Sequence, residues 1–546
     1  MKLSRLIFAS FFVFLICLIY ASPYDIIPAG DSVLEDLRFL SLESGHSFLS
    51  FHSPLSPSEI KTFLHSIDYD LLTLPARDAY LRVQNRLAPA APLSFTAENF
   101  SITAGINSTL EASLEFNNEI SPYPEYPKIK PVLAVPLRFF FADVCQLYFE
   151  PAIIVDPQFY RSGGYFNSNI PARFDQIDMT VPLRGFAAAG GSWWSFQLGR
   201  DRLSYGTGIT GNLAVSDNPA FYDFAMFSFI SGYFKYSAMI SQMPLAITAE
   251  IYDRPLDSGS LSKTMQRYLY LHRLDLNLFG KLSVGLMEGV MAGNSGIEIR
   301  YLNPFIVFHS LFSFWDYPEW DGGSNAPDGT GAMNGSLFSA EINWNIIRSL
   351  SVYGQFAMNQ FATAYKLGLW PDQPPNGLGY LAGVNYSHSF SKWGSVFYLE
   401  FIYTDPYLFM NPSPFASLIH MRTLGYSPDR YEYSFIGYPR DAVTLALGAK
   451  FFNSGALIVE GRFLWLSRGE HGIKWDWEKS KDAYSENTPS GTAENKYIFG
   501  SGVQWKPLPF LVIDGSIALI FARGNNHVPG ADLAGGQAAI SLTFTY

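Results

Sequence analysis

From about residue 93 to the end of the chain, apolar and polar residues alternate with a period of two. In the last segment Ala538, Ile540, Leu542, Phe544 and Tyr546 share one face, while Gln537, Ala539, Ser541, Thr543 and Thr545 share the other. Phe397, Leu399, Phe401 and Tyr403 alternate with Tyr398, Glu400, Ile402 and Thr404. Tyr268, Tyr270, Leu274, Leu276 and Leu278 alternate with Arg273, Asp275 and Asn277. Tyr497, Phe499, Val503 and Trp505, and Leu511, Ile513, Ile517, Leu519 and Phe521, repeat the pattern. Ile297, Ile299 and Tyr301, set against Glu298 and Arg300, read as a further short strand. Successive strand side chains point to opposite faces, so each segment has one apolar and one polar face. Charge on the second face of so many strands is costly in a dry sandwich core and natural in a wet lumen.

Before residue 93 the period is helical. Val33, Leu34, Leu37 and Leu40 lie at helical spacing, with Asp31 as N-cap and Gly45 as stop. Ser56-Pro57-Ser58-Glu59 is a capping box with Pro at N1, and it starts a helix through about Ser66. Pro75 starts a third, which turns Ala79, Val83 and Leu87 toward a partner. Pro89 and Pro92 read as the linker. At the very start, Lys2 and Arg5 precede an apolar run from Leu6 to Tyr20 and the small residues Ala21 and Ser22, the form of a cleaved export signal. Cys17 follows Ile16, a poor match to a lipoprotein cleavage site.

The organisation expected is therefore a leader over 1–22, a helical segment over 23–92 and a β domain over 93–546. The fold class is all-β with a small α preface: a closed antiparallel transmembrane β-barrel of about 16–18 strands. The closing strand at the carboxy terminus would pair with an early one and leave no free edge.

Composition agrees with a membrane wall crossed by strands. Only 16% of the 546 residues are charged and 16% are aromatic, with 32 Tyr and 46 Phe, where soluble proteins carry roughly 25% charge. Mean hydropathy is +0.07, too low for a chain of apolar helices of about 20 residues each. The net charge of −11, more negative once Lys2 and Arg5 are removed, argues against nucleic acid as a partner. Cys145 is the one cysteine outside the leader, which excludes an internal disulfide.

No catalytic motif stands out: HExxH, GxSxG, Walker loop and CxxC are all lacking. No cofactor or metal is expected. His46, His52 and His65 could cluster, but a surface or core role is the more frequent one, and Asp321 and Asp328 lack calcium-loop spacing. Long polar connections at 315–335, 369–379, 405–440 and 467–495 carry aromatic pairs. Trp315, Tyr317, Trp320, Trp475 and Trp477 are candidate sugar-stacking residues, with an interfacial aromatic belt as the competing reading. Arg200, Arg202, Arg273, Glu288, Glu298 and Arg300 are expected to point inward as a charged lumen network, because lipid exposure costs roughly 2–4 kcal/mol each near the midplane. The glycine-rich bend at 206–211 beside Arg200, Asp201 and Arg202 could close the pore or bind a ligand.

Three blocks carry a resemblance. GRDRLSYGTGITGNLAVSDN (199–218), YLHRLDLNLFGKLSVGLMEGVMAG (270–293) and IEIRYLNPF (297–305), with the helical preface, resemble the Wzi capsule-assembly family. In place of the family's glycine-rich turn stand Gly206-Thr207-Gly208, followed by Ser216 and Asn218; His272-Arg273, Glu288 and Tyr301 to Pro304 match the later blocks. The Trp-Trp that precedes the turn in better-known members is replaced by Leu203-Ser204-Tyr205. The resemblance implies an outer-membrane barrel with a periplasmic helical bundle, in contact with outer-membrane lipid, that anchors surface polysaccharide without turnover. A porin or solute channel with a helical preface is the alternative, and a barrel enzyme the third reading.

Overall fold

The computed structural model describes residues 24–87, 93–120, 128–142, 144–161, 165–244, 266–293, 296–305, 334–360, 376–410, 416–425, 430–453, 455–473 and 486–546. The expected leader, the expected linker prolines and the tryptophans at 315, 320, 475 and 477, with Tyr317, lie outside the described residues.

Helix α1 (Val33–Ser44) ends at Gly45, whose φ of 73° closes the last turn as only glycine does readily. Its N-cap is Ser32, one residue after the expected Asp31, whose carboxylate accepts the Val33 N–H at 3.0 Å. Helix α2 (Pro57–His65) opens with the expected capping box: the Ser56 N–H donates to Glu59 Oε1 at 2.9 Å. Helix α3 (Leu74–Arg86) buries Ala79 and Val83 completely. Leu37, Leu40, Phe48, Ile60 and Phe63 complete the core of this unit. Arg82 pairs with Asp36 at 2.6 Å, tying α3 to α1.

Most of the other described residues form one large antiparallel sheet, in which 23 strands are described, several of them short pieces of longer bent strands. Consecutive hairpins run from Phe234–Gln242 through Arg267–Leu278, Leu282–Gly293, Gly335–Ile347, Leu350–Gln360 and Gly377–Phe390 to Trp393–Thr404. Ala442–Asn453, Leu457–Arg468, Glu494–Leu508, Leu511–Arg523 and Leu533–Thr545 continue it. The carboxy-terminal strand then pairs with Asn107–Glu115, from Gln537 opposite Glu115 to Thr545 opposite Asn107. Residues 100–108 pair with 133–141, these with 145–153, and 145–149 with Gly185–Gly190 beside Trp194–Asp201. The carboxy-terminal strand thus meets a strand from the beginning of the β region.

One end of the sheet has short turns and the other has long connections, and the helical unit docks on the short-turn end. The Ser47 N–H donates to the Gly280 carbonyl and the Ser349 N–H to the Leu42 carbonyl, both at 2.8 Å. Lys450 pairs with Glu35 at 2.5 Å, and Phe452 meets Phe39 edge-on at 4.8 Å. Leu286, Leu399, Phe401, Phe499 and Phe521 remain exposed on the outer face, as a lipid-facing band requires.

The segment 297–305 is not the expected strand. Ile299–Leu302 form a single 3-10 turn laid over the outer face of the wall, where Tyr301, 1% exposed, packs with Tyr270, Val290 and Ala292. Five alternating residues are too few to separate a strand from such a turn.

Candidate functional site: a loop inside the wall

The connection between Trp194–Asp201 and Tyr222–Ile230 does not stand outside the sheet. It folds inward, and Leu203, Leu213 and Val215 have no exposed surface. Ser204–Tyr205 form two ladder positions with His52–Ser53 of the helical unit. The loop thus descends from the long-connection end to meet the unit docked at the other.

The turn at 206–212 is held by polar side chains on the inner face. Glu400 Oε1 accepts the Thr210 N–H at 2.8 Å and the Thr210 hydroxyl at 2.5 Å, while Oε2 accepts the Ile209 N–H at 2.7 Å and the Tyr353 hydroxyl at 2.9 Å. Gln355 receives the Leu213 N–H at 2.9 Å and donates to Asn212 at 2.7 Å. Thr207 donates to Glu341 at 3.2 Å. Arg38 of α1 reaches the Gly208 carbonyl at 3.4 Å. A turn this tight needs glycine: a Cβ on Gly208 would sit 1.9 Å from the Gly211 carbonyl oxygen, and Gly206 has φ 132°.

The upper part of the loop is capped by a second one. The Ser216 N–H donates to the Ile436 carbonyl at 2.5 Å, and the Tyr438 N–H to the Leu213 carbonyl at 3.2 Å. The hairpin Ile419–Thr423/Tyr431–Phe435 sits beside it, anchored by the fully buried Arg267, which donates to the Ser417 and Ile419 carbonyls at 2.6 and 2.5 Å. At the lower end, the His52 ring lies 3.6 Å from that of Tyr205, centre to centre. Burial, and then the nearby Lys235 ammonium and Arg273 guanidinium, hold the His52 imidazole well below its usual range.

The expected charged network is only partly present. Arg273 points inward and is buried, 2.7 Å from both Asp275 and Glu341. Arg202 heads the inward loop, near Arg184, Asp201 and Asp217. Arg200 does not point inward: it shares its face with Leu198, which is 52% exposed, and pairs with Asp223 at 2.7 Å across the strand junction while lying 3.8 Å over the Phe221 ring. Glu288 also faces outward, on the side of Leu286, 3.8 Å from His272. Glu298 and Arg300 pair with each other at 2.5 Å on the outer 3-10 turn. The error has one physical source. Period two says which residues share a face; it does not say that a charge near a strand end or beneath a covering segment must choose the lumen.

Glu341, Tyr353, Gln355, Asn212 and His52 form the loop's seat and were not singled out from sequence as such. Glu400 was legible as a charge on the inner face of an alternating strand.

No protein-family model matches the sequence, and no curated protein does. The fold is similar to that of Wzi of Escherichia coli, described as an outer-membrane protein involved in group 1 capsule assembly and a carbohydrate-binding β-barrel. The TM-score is 0.57 at 14% identity, over 94% of this chain and 98% of that one. More remote likenesses are to OpdQ of Pseudomonas aeruginosa (TM-score 0.40, 8% identity, 82% of this chain and 97% of that) and OmpT of Vibrio cholerae (0.32, 9%, 83% and 100%). This chain therefore shares the outer-membrane β-barrel fold of Wzi, including its extent.

Proposed function

We propose that this chain is a distant member of the Wzi family: a closed outer-membrane barrel of about 16–18 strands that holds a surface polysaccharide without turning it over. In this reading residues 1–22 are removed on export. The helical unit lies in the periplasm with the short turns, and the long connections face outward. The observation that carries it is the inward loop at 202–221. It is bonded to the wall through Glu400 and Gln355, to the helical unit through His52–Ser53, and to the covering connection through Ile436 and Tyr438. A diffusion channel requires that space.

Trp315, Tyr317, Trp320, Trp475 and Trp477 supply the stacking faces. Each contact is worth about 1 kcal/mol, by analogy with aromatic pairs, so binding needs several together. The test pairs two measurements on the purified protein: capture of the host's surface polysaccharide and conductance in a planar bilayer. Capture without conductance, lost when the five aromatics become Ala, supports the reading. Porin-like conductance without capture replaces it with a channel.

A further inference from the structure

The inner face is not filled evenly. On the strands from Phe234–Gln242 round to Trp393–Thr404, polar residues that face inward are covered: Lys235 by the helical unit, Glu341 and Glu400 by the loop, and Asp275 beside Arg273, all of them buried. On the strands from Leu457–Arg468 to Leu511–Arg523 the inward-facing Glu460, Arg462, Gln504, Lys506 and Ser516 are exposed. Period two fixes their direction, because their chain neighbours Val503, Trp505 and Ile517 form the exposed apolar outer face.

The helical unit explains where this space opens. It touches the short turns near Gly232, Gly280, Arg348, Ser389 and Gly455. Among the described residues, no such contact reaches the turn between Leu508 and Leu511. The space has a floor as well. Toward the long-connection end the same strands bury Leu464, Leu466, Ile498, Ile520 and Ala522 in one apolar cluster with Ile120. Among the described residues, the result is a blind vestibule open at the short-turn end. Arg462 lies five residues in from the strand end at Leu457, about 17 Å along the strand.

Its lining is built for hydrogen bonding. Arg462 lies opposite Gly500 and Glu460 opposite Gly502, so both long side chains rest against bare backbone and leave the space free. Gln504 donates to Asp514 at 2.8 Å, and Lys130 reaches the other Asp514 oxygen at 3.0 Å. Carboxylates alternate with cationic groups. A highly charged ligand of either sign meets like charge as often as opposite, whereas a neutral polyol finds donors and acceptors throughout.

We propose that this vestibule binds a short neutral saccharide entering from the short-turn side. The proposal rests on the outer-membrane reading but not on sugar binding by the long connections. It is tested in cells with Ser516→Cys in a Cys145→Ser background, using a membrane-impermeant maleimide and maltoheptaose as the probe. No label is expected on intact cells. Label is expected once the envelope is opened, slowed at least threefold by maltoheptaose, and this protection should vanish when Glu460 and Arg462 are both changed to Gln. Label on intact cells, no label after opening, or label that maltoheptaose leaves unchanged would each overturn the proposal. Gln504→Cys repeats the measurement should Ser516→Cys fail to give the heat-modifiable folded form. Capture of the host polysaccharide by intact cells scores the long connections separately.

Discussion

Lys235 and Glu59 form an ion pair between wall and helical unit, with Nζ donating to Oε2 at 2.7 Å and the two side chains 1% and 2% exposed. The other oxygen of Glu59 accepts the Ser56 N–H. One carboxylate therefore caps α2 and anchors it to the sheet.

Glu59→Ala should weaken docking of the helical unit strongly. It removes the cap and leaves a buried ammonium unpaired, a loss of about 3–5 kcal/mol. Limited proteolysis of the purified protein should cut within 24–87 far faster than in the parent. Adding Lys235→Met should restore much of the resistance, because no uncompensated charge then remains. Equal sensitivity in single and double variants would mean that the cap, not the pair, holds the unit.

Removing residues 206–212 should open the space that the loop occupies. Gly208→Val is the milder form, since its Cβ collides with the Gly211 carbonyl. Both should raise single-channel conductance over a near-silent parent, the deletion more. Arg200→Ala and Glu288→Ala should leave conductance unchanged, because both side chains lie on the outer side of the wall.

Acid should loosen the contact between His52 and Tyr205. The folded imidazole is held far below its ordinary value of 6.5, so below that pH the undocked state binds the extra proton. Stability is complete above about pH 6.5 and falls as the pH drops beneath it. Proteolytic accessibility of residues 24–87, followed from pH 7 to 4.5, should rise in the parent. His52→Phe keeps an aromatic ring there without a titrating group and should flatten the curve.

Tyr301→Ala should free the outer segment 296–305. The side chain is buried against Tyr270 and Val290, and truncating a buried ring costs about 3–5 kcal/mol. Tyr270 and Val290 would then lose that cover. The variant should lose its heat-resistant compact form on gels at a temperature several degrees lower than the parent.

Much of this was readable from residue order alone. The capping box at Ser56, the stop at Gly45 and the strand ending in Thr545 each depend on contacts within a few residues or on strict alternation. The glycine-rich bend announced an unusual turn but not its direction, because that is set by Glu400 and Gln355, well over a hundred residues away. Glu288 shows the converse. It continues the apolar face of Leu282, Val284 and Leu286, where His272 lies 3.8 Å from it across the strands, a neighbour that residue order does not announce.

The pairing of Leu533–Thr545 with Asn107–Glu115 has a consequence for how the inner loop gets in. A sheet whose two margins are still apart admits residues 202–221 sideways. Once those margins are joined, the same segment could enter only by threading. Wrapping the wall around its contents, with the seam made afterwards, avoids the threading step.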